Sequence, residues 1–143
     1  MTKSIVVIAA ALLTSSGCFQ LMAASKCSKR ADAARAEISR MKASRAPAAR
    51  ISGRWTCAQP NNNSVREKWR VSQKGNSFRI VGNDNRGRSF VLNGAVERDR
   101  MVWAKGKGSF SGEGTIEGTS IAGHFNWAGN MSCEKVEIVC SRY

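Results

Sequence analysis

The chain has 143 residues, of which 23 are Lys or Arg and 10 are Asp or Glu, giving a formal net charge of +13 at pH 7. This length suits one domain and leaves no room for a second large one. So basic a chain favours anionic partners such as nucleic acid, lipopolysaccharide or acidic glycans, with solubility alone as the alternative explanation.

Residues 1–25 have the pattern of a secretory signal peptide. Lys3 supplies the charged beginning, and an uncharged apolar run extends from Ile5 to Leu13. Ala23-Ala24-Ser25 then offers small residues for cleavage before Lys26. The apolar run is too short to span a bilayer, which disfavours a retained transmembrane helix. We therefore expect an exported protein, either periplasmic or extracellular.

A second processing site competes with this one. Ser15-Ser16-Gly17-Cys18 resembles a bacterial lipobox, although Ser15 stands where that motif has an aliphatic residue. Processing there would leave Cys18 as an acylated first residue and anchor the protein to a membrane. Both routes remove Cys18 from the pool of free thiols and leave four cysteines.

The segment 26–50 is basic and helical in character, and the segment 51–143 is rich in β signals. Residues 26–54 carry nine Lys or Arg against two acids. A helix is predicted from Ser28, a plausible N-cap, to Ala46, because this stretch lacks Gly and stops before Pro47. Its narrow apolar stripe favours packing on a barrel wall or over a barrel end, with a membrane anchor as the alternative; the stripe is Ala31, Ala34, Ile38 and Met41.

Alternating apolar and polar residues, interrupted by turn signals about every ten positions, predict eight antiparallel strands. Strands at this spacing fit either a closed up-and-down barrel or a sandwich. We expect the barrel, so the predicted fold class is all-β, a small up-and-down barrel preceded by one α-helix. Asn93-Gly94 is interpreted as a bulge rather than a hairpin turn. The strands are Ile51–Ala58, Val65–Lys74, Ser77–Asn83, Arg88–Arg98, Met101–Gly106, Ser109–Glu117, Ser120–Trp127 and Cys133–Arg142.

One face of these strands collects the large apolar side chains, including all four tryptophans, and is predicted to face the interior. Inner-face glycines would leave room for an aromatic ring opposite. The inner-face residues are Ile51, Trp55, Cys57, Trp69, Val71, Phe78, Ile80, Phe90, Leu92, Met101, Trp103, Phe110, Ile116, Ile121, Phe125, Trp127, Val136, Ile138 and Cys140.

The four remaining cysteines predict two disulfides in an exported chain, because no Cys-x-x-Cys pair supports a zinc site. Cys57 and Cys140 fall on the inner face of the first and last strands, which are neighbours in a closed barrel. Cys133 faces outward, where Cys27 can reach it. The expected bridges are Cys57–Cys140 and Cys27–Cys133, although sequence alone leaves three connectivities open.

Gly53-Arg54-Trp55 in the first strand resembles the Gly-x-Trp motif of the lipocalin and avidin group of small barrels. In that group the tryptophan closes one barrel end, often beneath a basic residue that follows the last strand. The resemblance gives Arg142 this role and implies a barrel with an internal ligand site.

No catalytic constellation is found in the sequence, and no catalytic residue, metal ligand or cofactor is assigned. The single histidine, His124, falls on an outward strand face, where a surface histidine is the simpler interpretation. Glu113 and Glu117 lie about 13 Å apart at the rise of a strand, too far for a glycosidase pair.

The leading hypothesis is an exported, non-catalytic module that binds a small apolar ligand or a protein partner. The alternatives are a basic binder of anionic polymers or envelope components and a secreted inhibitor or toxin-neutralising protein. The predicted ligand site is Trp69, Trp103, Phe110, Phe125 and Trp127. The predicted anion-binding residues are Arg30, Arg35, Arg40, Lys42, Arg66, Lys68 and Arg70.

Overall fold

The computed structural model describes residues 6–129 and 132–143, with side chains from residue 22 onward except that of Asn63. One helix is followed by eight strands. Their bounds are α1 Val6–Lys42, β1 Gly53–Gln59, β2 Asn62–Lys74, β3 Ser77–Asn83, β4 Ser89–Glu97, β5 Arg100–Ala104, β6 Ser111–Glu117, β7 Ser120–Ala128 and β8 Cys133–Arg142.

The strands form a closed antiparallel barrel in which each strand pairs with its neighbour in sequence. β8 closes the barrel by pairing with β1, where Trp55 lies opposite Arg142 and Cys57 opposite Cys140. This confirms the predicted fold class, and β3 and β8 have the predicted bounds. The order follows from the short turns, since chain segments joined by a few residues pair most readily as antiparallel neighbours.

The predicted inner face is the core of the barrel. All its members except Trp127 belong to one apolar cluster or pack against it, together with Val96, Ala48 and Ala49. Trp127 has the inner orientation but is 56% exposed, because it lies where the barrel is open. Packed apolar side chains on one face of every strand supply the main driving force for folding.

Glycines on the inner face make room for aromatic rings on the neighbouring strand, as predicted. Gly112 lies opposite Trp103, and a β-carbon added to it would lie 2.5 Å from three atoms of the indole ring. Gly94 lies opposite Phe78 in an unbroken register, so the bulge predicted at Asn93-Gly94 is wrong. A side chain at this position would overlap both the backbone oxygen of Val102 and the phenyl ring of Phe78.

The helix differs from its prediction at both ends. It extends from Val6 to Lys42, so Ser28 lies inside it and is not its N-cap. The last turn tightens, with the amides of Ala43 and Ser44 donating to the carbonyls three residues earlier. The hydroxyl of Ser44 then accepts a hydrogen bond from the amide of Ala46 at 3.1 Å, which redirects the chain into an extended segment.

The helix packs on the outer wall of the barrel, as one of the two predicted placements has it. Ile38 and Met41, from the predicted stripe, are buried against Ala95 of β4 and two residues of β5, Val102 and Ala104. These outward-facing residues are apolar and buried, unlike most outward-facing residues of the strands, because the helix covers them.

Among the described residues, no helix combines the length and the apolar character that crossing a bilayer requires.

Both predicted disulfides are present. Cys57–Cys140 joins the first and last strands inside the barrel, and Cys27–Cys133 joins the helix to β8 on the outside. All four cysteines are buried. Two such bridges are typical of proteins that fold in an oxidising, exported environment.

Candidate ligand site at the open end of the barrel

One end of the barrel is sealed by the segment between helix and barrel. The amide of Ala49 donates to the carbonyl of Arg98, and the amide of Arg98 donates to the carbonyl of Pro47. Ile51 is fully buried beneath this segment, and its amide donates to the side-chain oxygen of Gln73 at 2.8 Å. Because these backbone groups are hydrogen-bonded, the segment between helix and barrel can close this end of the barrel stably.

Trp55 completes the sealed end. Its indole nitrogen donates to the carbonyl of Ile51 at 2.8 Å, and its ring is fully buried. The guanidinium carbon of Arg142 lies 4.7 Å from the centroid of the indole ring, and its Nη2 donates to the carbonyl of Arg50 at 2.7 Å. The stacking expected from the Gly53-Arg54-Trp55 motif is thus present. Cation–π contacts of this kind stabilise a fold by about 0.5–2 kcal/mol.

The opposite end of the barrel holds an open cavity of about 370 Å³. All five residues of the predicted ligand site line this one cavity. Its volume lies in the range of sites for small molecules, roughly 300–1,000 Å³. The lining is Glu67, Trp69, Asp84, Arg88, Ser89, Phe90, Leu92, Trp103, Lys105, Phe110, Phe125, Trp127 and Ile138.

The aromatic rings of the cavity are arranged in layers. Trp69 and Trp103 are almost fully buried, with ring centroids 5.8 Å apart and planes at 75°, an edge-to-face contact. Phe110 and Phe125 form a second pair, with centroids 5.5 Å apart. Trp127 is the exposed member. A large exposed aromatic residue beside a concave apolar surface is a common feature of binding sites.

Glu67 is a charged residue of this lining that the sequence analysis did not assign to the ligand site. It lies on the inner face of β2, two positions before Trp69, whose indole nitrogen donates to Glu67 Oε2 at 2.9 Å. Burial raises the pKa of the Glu67 carboxyl, and the negative charge of Asp84 raises it further. The parity that assigned Trp69 to the interior also assigns Glu67 there, so the signal was present in the alternation.

The other charged groups of the lining have partners. Asp84 Oδ2 accepts a hydrogen bond from Arg88 Nε at 2.8 Å, and the amide of Arg88 donates to Asp84 Oδ1 at 2.9 Å. These contacts hold the pKa of Asp84 below its usual range, and the hydrogen bond from the backbone amide of Arg88 contributes most. The ammonium of Lys105 lies 5.6 Å from the centroid of the Phe110 ring.

Three of the four helix residues predicted to bind anions also contact the barrel. Arg30 Nη1 donates to Asn126 and to the carbonyl of Cys133. Arg35 donates to the carbonyls of Lys105 and Gly108, and Arg40 pairs with Glu37 and Glu97. The fourth residue, Lys42, is exposed.

The predicted strand residues Arg66, Lys68 and Arg70 form an exposed row on the outer face of β2. Arg54 of β1 lies directly opposite Arg70 in the register. Like charges placed opposite each other on neighbouring strands repel, and an anion bound between them would relieve that repulsion. We call these four residues the basic wall.

His124 lies on the outward face, as predicted, but α1 covers it partly, so it is not a free surface histidine. Its Nε2 lies 3.8 Å from Glu113 Oε1, and burial lowers the pKa of its imidazole. Arg100 Nη2 also contacts Glu113 at 3.1 Å, which makes this group part of the interface beneath the helix. In residues 6–129 and 132–143, no cluster of three or more His, Cys, Asp or Glu side chains is arranged to hold a metal ion.

No protein-family model matches this chain, and no curated protein sequence is significantly similar to it.

Proposed function

We propose that this protein is an exported binding protein that holds a small, largely apolar ligand in the open end of its barrel. The observation that carries the proposal is the cavity itself, in which Trp69, Trp103, Phe110, Phe125 and Trp127 converge around about 370 Å³ of open space. A concave site with an apolar lining and a few polar groups is the usual form of a small-molecule site.

The two ends of the barrel differ in a way that supports this function. The stacked pair Trp55 and Arg142 seals one end, which leaves the end that carries Trp127 as the route for a ligand. This arrangement, together with Gly53, is that of the lipocalin and avidin group, and we propose a calycin-like barrel. Two disulfides keep the barrel rigid, which limits the conformational entropy that the protein loses on binding a ligand.

A neutral fluorescent probe, N-phenyl-1-naphthylamine, tests the proposal by direct titration. Saturable binding with an equimolar endpoint is expected, because the cavity holds one such molecule. Trp127→Ala is expected to weaken binding without loss of stability, since this residue is 56% exposed. Tyr143→Ala removes an aromatic residue that is 65% exposed and does not line the cavity, and it serves as the matched control.

Two outcomes of the titration would contradict the proposal. Binding that does not saturate, or that Tyr143→Ala weakens as much as Trp127→Ala does, would show that the probe adheres to exposed aromatic surface. A loss of affinity of about 1–3 kcal/mol for Trp127→Ala alone is the range expected when an aromatic contact is removed from a binding site.

A second candidate function is binding of an anionic polymer through the basic wall, supported by the opposed pair Arg54 and Arg70. Retention on heparin should then fall steeply with salt, because bound counterions are released. Replacing Arg66, Lys68 and Arg70 by Gln should shift elution to lower salt more than replacing three exposed cations elsewhere, which are Lys29, Arg45 and Lys107. Equal shifts in the two variants would reduce the effect to net charge.

A further inference from the structure

The inner face of the cavity contains one carboxylate among aromatic rings. Glu67 lies opposite Cys57 in the register of β1 and β2, which places its side chain on the inner face of the barrel. It is half-buried, and the indole of Trp69 donates its one hydrogen bond, at 2.9 Å. In the part of the chain that the structure describes, Glu67 forms no ion pair.

The neighbouring charges leave Glu67 without a cation. Arg88 and Lys105 are the two cations of the lining, and the guanidinium of Arg88 pairs with Asp84 at 2.8 Å. Lys105 lies over the Phe110 ring, 5.6 Å from its centroid. Asp84 adds negative potential, since its charge raises the pKa of Glu67. Of the two carboxylates that line the cavity, Asp84 therefore has an ion-pair partner and Glu67 has none among the described residues.

A partly buried carboxylate is unfavourable unless a positive partner or several hydrogen bonds compensate for the lost water. Aromatic faces attract cations through their negative quadrupole, most strongly those of tryptophan. The cavity combines both features with an apolar interior. Each of them favours a ligand with a positive charge, and neither favours an anion.

We propose that the ligand is a small amphiphilic organic cation, an amine or quaternary ammonium group attached to an apolar body. This inference rests on the proposed function, because it assigns the chemistry of the ligand in the same cavity. The apolar body packs among the aromatic rings, and the cationic group lies beside Glu67. The ligand thereby supplies the counterion that the fold lacks.

Three probes of equal chain length, octylamine, octanol and octanoate, test the inference by isothermal titration calorimetry and tryptophan fluorescence. Octylamine should bind about 10- to 100-fold more tightly than octanol, the effect of one interaction with a charged group. Octanoate should bind most weakly of the three.

Glu67→Gln is the decisive variant, since glutamine keeps an oxygen that can accept the hydrogen bond from Trp69. It should lose the preference for octylamine while its affinity for octanol stays unchanged. Glu117→Gln makes the same change of charge at an exposed position on β6, outside the cavity lining, and should change neither affinity. Because ionised Glu67 is disfavoured by burial, Glu67→Gln should unfold at the same or a higher temperature at neutral pH.

The unaltered protein gives an independent test through pH. Affinity for octylamine should fall as pH drops through the raised pKa of Glu67, while affinity for octanol should not. Asp84, Arg88 and Lys105 are the other charged groups of the lining. The lowered pKa of Asp84 keeps its carboxylate ionised where Glu67 takes up a proton.

The outcomes separate the two proposals. Equal binding of the three probes would overturn the cation assignment and leave the cavity as an apolar site. Tightest binding of octanoate would also overturn it and assign the charged contact to Lys105 or Arg88. Binding of none of the probes, nor of N-phenyl-1-naphthylamine, would overturn the proposed function itself.

Discussion

The disulfide between Cys27 and Cys133 is the main covalent attachment of the helix to the barrel, and its removal has a calculable cost. The two residues are 106 positions apart, and a loop of that length in the unfolded chain corresponds to about 4.7 kcal/mol of lost entropy. Cys57–Cys140 already closes a loop inside it, however. The shortest path then runs about 30 residues from Cys27 to Cys57 and about seven from Cys140 to Cys133, which lowers the expected contribution to roughly 4 kcal/mol.

The assay is urea unfolding of the double variant Cys27→Ala/Cys133→Ala, with the transition monitored by tryptophan fluorescence and circular dichroism. For a chain of this size, a loss of about 4 kcal/mol lowers the melting temperature by roughly 15 °C. Cys57→Ala/Cys140→Ala is the matched control, because removing the inner bridge opens a loop of the same shortest length. A loss below about 1 kcal/mol for the outer pair would refute the reasoning, since it would mean that the bridge does not stabilise the fold by restricting the unfolded chain.

Two substitutions test the packing of the barrel and its sealed end. Gly112→Ala is expected to lower the free energy of unfolding, measured in urea, by about 1–3 kcal/mol, because its β-carbon would overlap the indole of Trp103. Gly106→Ala is the control and should be close to neutral, since a β-carbon there has no neighbour within 4 Å. Equal losses in the two variants would contradict the packing argument. Arg142→Ala is expected to lower the free energy of unfolding by about 1–2 kcal/mol and to change the fluorescence of Trp55, because the cation–π contact is lost. Unchanged stability would show that the stacking contributes nothing.

The sequence predicted the barrel because alternation is a local property of each strand. An apolar face with period two, interrupted by turns, leaves a closed up-and-down sheet as the economical way to bury every strand. The same parity placed Cys57 and Cys140 inside and Cys133 outside, which favoured the observed bridges among the three possible connectivities. Glycines opposite aromatic rings followed from the limited space inside a small barrel.

The features that were missed depend on contacts between distant segments. Arg30, Arg35 and Arg40 look like free surface charges in the sequence, but docking of the helix gives each a partner on the barrel. The exposure of Trp127 could not be predicted either, because its alternation is that of a core residue and only the closed barrel shows which end is open. Glu67 was not predicted, although it has the parity of Trp69, because apolar residues alone define the alternation pattern.

The most direct test of the central claim uses the indole N–H signals of the four tryptophans in a ¹H–¹⁵N spectrum. On titration with octylamine, the signals of Trp69, Trp103 and Trp127 should shift, because all three residues line the open cavity. The signal of Trp55, fully buried at the sealed end, should stay in place and serves as an internal control. Shifts confined to Trp127, or equal for all four signals, would contradict a ligand held inside the open end of the barrel.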